Sequence, residues 1–401
     1  MWIRLRLDIG WRDLSRALFA GIRRGDRDAA QANLEANWSS EHGDALACLS
    51  VRSGFDLLLE TLELPAGSEV LFSAVTIAEM PQIAREHGLV PVPVDVCGCD
   101  YRLDLDSLAK AVSPRSRLLV VAHLFGARPP LDEVLEFARC HDLIVVEDCA
   151  QAWCDAAWRG DDRADASLFS FGAIKTATAL GGAICRVRDR ALLAKMRQIQ
   201  SRQPVQRVPR LPLKPLKFAA LKALSNKLVF AAMTTVGGWL GRDVDRILSG
   251  LTRGFSGGNL LQEIRRQPPI GTLKLLNHRL RTYDHRRIDR RMAHARRIID
   301  RLGMVKGKTE LRDFRHSFWL FPYLTDDADQ LLPELRRQGF DTTQRGRMEV
   351  VSAPSDRPHL NCPQAAELLR RTLFLPCYPE LSEIAIDRMC DVILQFQRDR
   401  R

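Results

Sequence analysis

The sequence predicts an α/β fold with a mostly parallel central sheet and a smaller C-terminal α/β domain. Three observations carry this. Short apolar runs such as Leu118–Ala122 and Leu143–Val146 suit strands buried on both faces. Helically spaced stretches of about a dozen residues separate them. A glycine closes such a stretch at Gly88, where a helix C-cap would fall.

Residues 1–45 read as an irregular and helical lead, with Leu14, Leu18 and Ile22 at amphipathic spacing. Residues 46–200 alternate between strand and helix and form the large domain. Helices are expected over Ser53–Leu64, Ile77–Gly88 and Leu131–His141, and strands over Glu69–Phe72, Arg117–Ala122, Leu143–Asp148, Ala166–Phe171 and Ala183–Val187. Val90–Asp95 is extended, and its Pro91 and Pro93 suit a sheet edge. Residues 201–262 interrupt the pattern with Pro204, Pro209, Pro212 and Pro215, followed by a basic stretch. Residues 263–401 open with a long Arg-rich helix over Ile264–Leu302. The small domain follows: a strand at Phe318–Phe321, a helix over Ala328–Gln338, a strand at Leu373–Leu375 and a last helix over Glu383–Gln397.

With 401 residues, 46% hydrophobic and 27% charged, the chain can bury two cores and lacks the composition of a disordered protein. No secretory leader is legible, and no run reaches the ~18 apolar residues of a membrane-spanning helix, so a cytoplasmic protein is expected. Of ten cysteines only Cys97 and Cys99 are close-spaced, without the paired knuckles of a zinc site. They read as reduced and mostly buried, and no metal is expected. The net charge of +11 is local: residues 201–300 hold 21 Lys/Arg against 6 Asp/Glu.

Three segments carry the chemistry. Val145–Gln151 places Asp148 at the end of a buried strand. Ser167–Lys175, followed by Gly181 and Gly182, places a hydroxyl at Ser170 and a lysine five residues later. Ser53, Gly54 and Phe55 open a helix. Ligands of open α/β sheets collect at the carboxyl ends of strands, where all three converge. Pyridoxal 5'-phosphate needs a lysine for its aldehyde, an acid for its ring nitrogen and donors for its phosphate. A helix N-terminus with a hydroxyl suits the last. Taken singly, Lys175 reads as a surface lysine, Asp148 as a helix cap and Ser170 as a strand end. Their ordered combination points to the cofactor.

The same combination resembles the sugar aminotransferases of the DegT/DnrJ/EryC1/StrS family. The matching motifs are Ser53-Gly54, His123–Gly126, Glu147–Gln151, Phe169–Lys175 with Gly181-Gly182, His316–Phe321 and Leu375–Ser382. The resemblance implies the type I pyridoxal-phosphate, aspartate-aminotransferase-like fold. It also implies a homodimer with active sites at the subunit interface. By position, Lys175 would be the Schiff-base lysine and acid/base catalyst, Asp148 would face the ring nitrogen, and Gln151 would lie near the ring and its 3-oxygen. Ser170, with the backbone of Gly54 and Phe55, would hold the phosphate. Glutamate is the implied amino donor and a keto-sugar nucleotide the implied acceptor.

The chain also departs from the family pattern. Phe55 stands where a threonine is usual, and Ile77 where an aromatic ring stacks on the cofactor. Thr176 replaces an asparagine and Leu180 an acid. Gln262–Pro269 lacks the Asn-x-Arg-Met stretch that reaches the neighbouring subunit, and Gln344–Arg347 replaces a histidine-containing substrate loop. The lysines at 214, 217, 222 and 227, with Leu216, Leu221, Leu224, Val229 and Trp239 between them, leave two readings open. One is a lid or dimer contact with solvated lysines. The other is a basic amphipathic helix at an anionic membrane, where the substrate would be lipid-linked. Nucleic acid is not expected, since base-stacking aromatics and a binding motif are lacking. Two further functions fit less well. Sugar dehydration in this family goes with loss of the lysine, and a non-catalytic cofactor- or sugar-binding role does not require Lys175, Asp148, Gln151 and Ser170 together.

Overall fold

Six strands of one sheet run in the same direction, so their carboxyl ends line a single edge. The computed structural model describes residues 2–3, 6–20, 25–39, 43–98, 101–155, 157–207, 213–224, 259–304, 315–344, 346 and 348–400. The large sheet comprises β1 (Ala45–Cys48), β2 (Glu69–Ser73), β3 (Val90–Val94), β4 (Ser116–Ala122), β5 (Ile144–Asp148), β6 (Ala166–Ser170) and β7 (Ala183–Val187). Its order is β1-β7-β6-β5-β4-β2-β3. β7 alone runs against its neighbours, pairing antiparallel with both β1 and β6. The four other pairings are parallel. Val, Ile and Leu fill these strands because both faces are covered by helices. The proline-bearing β3 is an edge strand, where a missing N–H costs least.

Helices α1 (Trp11–Ala20) and α2 (Arg27–Trp38) precede the sheet, and α3 (Val51–Leu62) follows β1 directly. Ser50 caps α3 by accepting the N–H of Ser53. α3 lies very close to the sheet. A methyl at Gly54 would sit 2.2 Å from the Cys185 sulfur on β7, so only glycine allows this approach. Phe55 points into the same core, its ring edge-on to Phe72.

Beyond the large sheet lie α4 (Leu213–Leu224), α5 (Ile270–Thr282) and α6 (Arg286–Arg301). Phe218 of α4 enters the core that holds Phe171 and Leu180. The expected long helix over Ile264–Leu302 is thus two helices. Tyr283 between them is extended and buried, and its hydroxyl donates to Asp8. Tertiary packing overrides the helical pattern there. The small sheet has β8 (Phe321–Leu324) and β9 (Thr343–Gln344) flanking β10 (Thr372–Leu375), all antiparallel. The strand expected at Phe318 starts three residues later. Phe318 takes a left-handed φ of 45°, with its N–H on His316 Nδ1. Ile77 likewise belongs to a short strand, Val75–Ile77, paired with Met348–Val350, and the next helix begins at Glu79.

No helix of the described residues is long and apolar enough to cross a membrane. Lys227, Val229, Trp239, Arg345 and Arg347 lie outside the described residues. Gly54→Ala is expected to cost about 1–3 kcal/mol by overpacking, read by denaturant unfolding. Adding Cys185→Ala should recover most of that loss; equal destabilisation with and without it would contradict the contact.

Candidate active site

Asp148 ends β5, and its Oδ1 accepts the N–H of Ala150 at 3.0 Å. Burial raises its carboxyl above the ordinary value, against the pull of that N–H and of the charges on Lys175, His123 and Arg52. Ser170 ends the neighbouring β6, and the turn after it carries Lys175. A methyl at Gly172 would lie 3.5 Å from Ser170 Oγ and 3.9 Å from Lys175 Cγ, so hydroxyl and lysine stem face one small space.

Lys175 Nζ lies 4.1 Å from the centre of the Trp319 ring, whose indole N–H donates to the Ile174 carbonyl at 2.9 Å. Trp319 therefore covers the amine and pins the turn. Burial brings the ammonium down to about 8, helped by Arg52 and opposed by Asp148. Such an amine is partly neutral near pH 8, as nucleophilic and proton-moving lysines require.

The turn is held from outside. Ala177 and Leu180 have φ of 52° and 61°, in the left-handed region that L-residues populate rarely. Ala177 N–H donates to Asp8 Oδ2 at 2.9 Å. Arg279 Nε donates to the Thr178 carbonyl, and Arg291 reaches Thr176 Oγ1 and the Ser317 carbonyl. Asp8 also accepts from Tyr283 and Arg287, each at 2.7 Å. Burial alone would raise Asp8, but Arg287, the Ala177 N–H and Tyr283 outweigh it and hold the carboxyl below its ordinary value.

Gln151 is fixed on the other side. Its Oε1 accepts the Phe125 N–H at 2.9 Å, and its Nε2 lies 3.6 Å from Met348 Sδ. Met348 is the strand partner of Ile77, which brings Ile77 to the same wall. Ser53, Gly54 and Phe55 lie in the first turn of α3. The Gly54 N–H already donates to the Ser50 carbonyl at 3.0 Å, and Phe55 is wholly turned into the core. The phosphate donor assigned to the Gly54 backbone is therefore already engaged within the helix. The helix begins earlier, at Val51.

Arg52 and Trp319, which act on Lys175, carry no role in the family resemblance. Arg52 resembled any first-turn polar residue, although its place beside Ser53 was a usable signal. Trp319 lay inside the His316–Phe321 motif but had no assigned role.

The donor set fits pyridoxal phosphate: a lysine of lowered basicity for the aldehyde, a half-buried carboxylate for the ring nitrogen, and a hydroxyl beside a helix N-terminus for the phosphate. Glu147 and Cys149 alternate with Asp148 and face the other way. There His123, Glu147 and Cys149 bring potential metal-ligating atoms within 4.8 Å of one another. They are engaged as a hydrogen-bonded group: Glu147 accepts from His123 at 2.8 Å, Ser167 at 2.7 Å and the Asp161 N–H at 2.8 Å. A cavity of about 450 Å³ opens beside them, and neither Lys175 nor Asp148 lines it.

The sequence profile of the DegT/DnrJ/EryC1/StrS aminotransferase family matches residues 30–208 and 274–394. GDP-perosamine synthase of Caulobacter vibrioides is 31% identical over 159 residues, 39% of this chain and 43% of that protein. The UDP-N-acetyl-3-dehydro-alpha-D-glucosamine 3-aminotransferase of Acidithiobacillus ferrooxidans is 30% identical over 40% of this chain and 44% of its own length. The matched stretch thus spans less than half of each of these curated relatives. Among solved structures, the aminotransferase TlmJ from Streptoalloteichus hindustanus superposes over 100% of both chains with a TM-score of 0.72 and 19% identity. Helicobacter pylori PseC does so over 99% of both, at 0.70 and 15%. The fold is that of these aminotransferases.

In protein freed of small ligands, Lys175→Met should raise the melting temperature at pH 7. The folded amine sits at about 8 against an ordinary 10.5, so the fold carries a charge penalty below pH 8 that fades as pH rises through 10.5. A gain that does not change with pH would contradict this.

Proposed function

Because the chain belongs to the DegT/DnrJ/EryC1/StrS aminotransferase family, we propose that it transfers an amino group from an amino acid, glutamate first, to a keto-sugar nucleotide or related glycan precursor. The observation that carries the proposal is the placement of the Lys175 amine, 4.1 Å from the centre of the Trp319 ring on the turn that follows Ser170, where burial lowers its basicity. The names of the sugar aminotransferases to which the chain is similar support the acceptor class.

In this reading Lys175 would hold the cofactor by its aldehyde, Asp148 would partner the ring nitrogen, and Gln151 and Ile77 would lie near the ring. Ser170 and the start of α3 hold the phosphate. The bound cofactor supplies an electron sink for charge that develops at the carbon bearing the amine. Once the donor's amine has displaced it from the aldehyde, Lys175 Nζ would be free to take the proton from the donor's α-carbon, and in the second half would return one to the acceptor carbon. Trp319 keeps water from the amine and fixes the turn, so Nζ stays within reach of both positions. Function as a homodimer is part of the proposal.

The exposed face of α1 and α4 favours a second reading, an acceptor held at an anionic membrane. Trp11, Phe19, Leu213 and Leu216 are 49–62% exposed on these two packed helices. Lys222 lies over the Trp11 ring, and Arg12 and Arg16 flank it. Apolar burial plus about 1 kcal/mol per basic residue suits such a surface. Anionic liposomes should float the wild type and lose a Trp11→Ser, Phe19→Ser, Leu213→Ser, Leu216→Ser variant. Equal flotation of both rejects docking, and a variant that instead loses self-association assigns the face to a second copy.

The main test is the half-reaction. Mixing the purified protein with glutamate should shift the cofactor spectrum to the amine form, and a panel of keto-sugar nucleotides should reverse it. Lys175→Ala should do neither. A wild type that binds the cofactor but leaves the spectrum unchanged with every amino donor would support the non-catalytic alternative.

A further inference from the structure

The resemblance leaves one deficit in the cofactor site: Phe55 supplies no hydroxyl, its ring is wholly in the core, and the Gly54 N–H is spent on Ser50. The same helix end carries a group that the family motif does not include. Arg52 lies in the first turn of α3, next to Ser53, with its side chain 19% exposed. Its Nη2 is held by Glu79 Oε1 at 3.0 Å, and Glu79 follows directly on the strand whose Ile77 pairs with Met348 beside Gln151. One guanidinium nitrogen is thus anchored to the helix start that follows Ile77. Its charge also acts on both Lys175 and Asp148.

We propose that Arg52, steered by Glu79, is the cationic ligand of the cofactor's phosphate in this chain and takes over from the hydroxyl missing at Phe55. The inference rests on the pyridoxal-phosphate reading above. The chemistry is direct. A phosphate ester near pH 7 carries close to two negative charges, and a planar guanidinium offers it two parallel N–H donors while keeping a third for Glu79. The N–H of Val51, which opens α3, and the Ser170 hydroxyl would add neutral donors to this charged one. Arg52 is then a binding residue, placed away from the proton that Lys175 moves.

The test compares two aldehydes that differ only in the phosphate. Full-length protein freed of small ligands is titrated with pyridoxal 5'-phosphate and with pyridoxal, and binding is read by absorbance. Arg52→Met should weaken the phosphate ester by roughly tenfold to a hundredfold, the worth of a charge-assisted bond, and leave pyridoxal unchanged. Arg52→Lys should fall between, since it keeps the charge and loses the fork. Unchanged pyridoxal binding also certifies that the variants are folded. If Arg52→Met binds both aldehydes as the wild type does, or loses both equally, the phosphate role is overturned while the cofactor reading stands. If the wild type takes up neither aldehyde, the reading on which it rests falls as well.

Discussion

The site depends on one arrangement: a half-buried lysine amine set against the Trp319 ring, on a turn whose backbone is itself unfavourable. Ala177 and Leu180 both occupy the left-handed region, and non-glycine residues persist there at a cost of about 1–3 kcal/mol each when their surroundings over-determine them. The surroundings here come from distant parts of the chain. Asp8 holds the Ala177 N–H, Arg279 the Thr178 carbonyl, and Trp319 the Ile174 carbonyl. The N-terminal lead, helix α5 and the loop before the small sheet thus meet on one turn of five residues or so. Tyr283, which breaks the expected long helix, does so to reach the same Asp8.

Strand alternation separates two kinds of buried polarity at the end of β5. Asp148 faces Lys175, where a carboxylate meets a cation that is itself short of solvent. Glu147 faces the far side and accepts three hydrogen bonds, from His123, Ser167 and the Asp161 backbone. Burial pushes the Cys149 thiol well up, which keeps it an unreactive packing group. The two carboxylates, Glu147 and Asp148, are neighbours in sequence, and the period of the strand sends them to opposite faces.

Six of the seven strands of the large sheet were legible as apolar or extended runs, each within a residue or two, while the edge strand Ala45–Cys48 was not. The lysine, the acid, the glutamine and the serine were legible as ordered motifs. What escaped was set by contacts across the chain. Tyr283 carries no helix breaker in its sequence, and its extended backbone comes from Asp8 more than 270 residues away. Phe318 reads as a strand residue until its N–H is seen on the His316 ring. Gly54 reads as a phosphate-binding glycine, yet the structure requires it for the Cys185 sulfur, a packing constraint that a motif cannot state. Arg52 was passed over because the resemblance assigned no role to its position.

The most direct measurement is to reduce the purified protein with borohydride and map the pyridoxyl group by peptide mass. The account requires it on Lys175, in the peptide that follows Ser170, and requires that Asp148→Asn still be modified there while losing transamination. A pyridoxyl group on another lysine, or none in protein that is fully folded, would contradict the central claim.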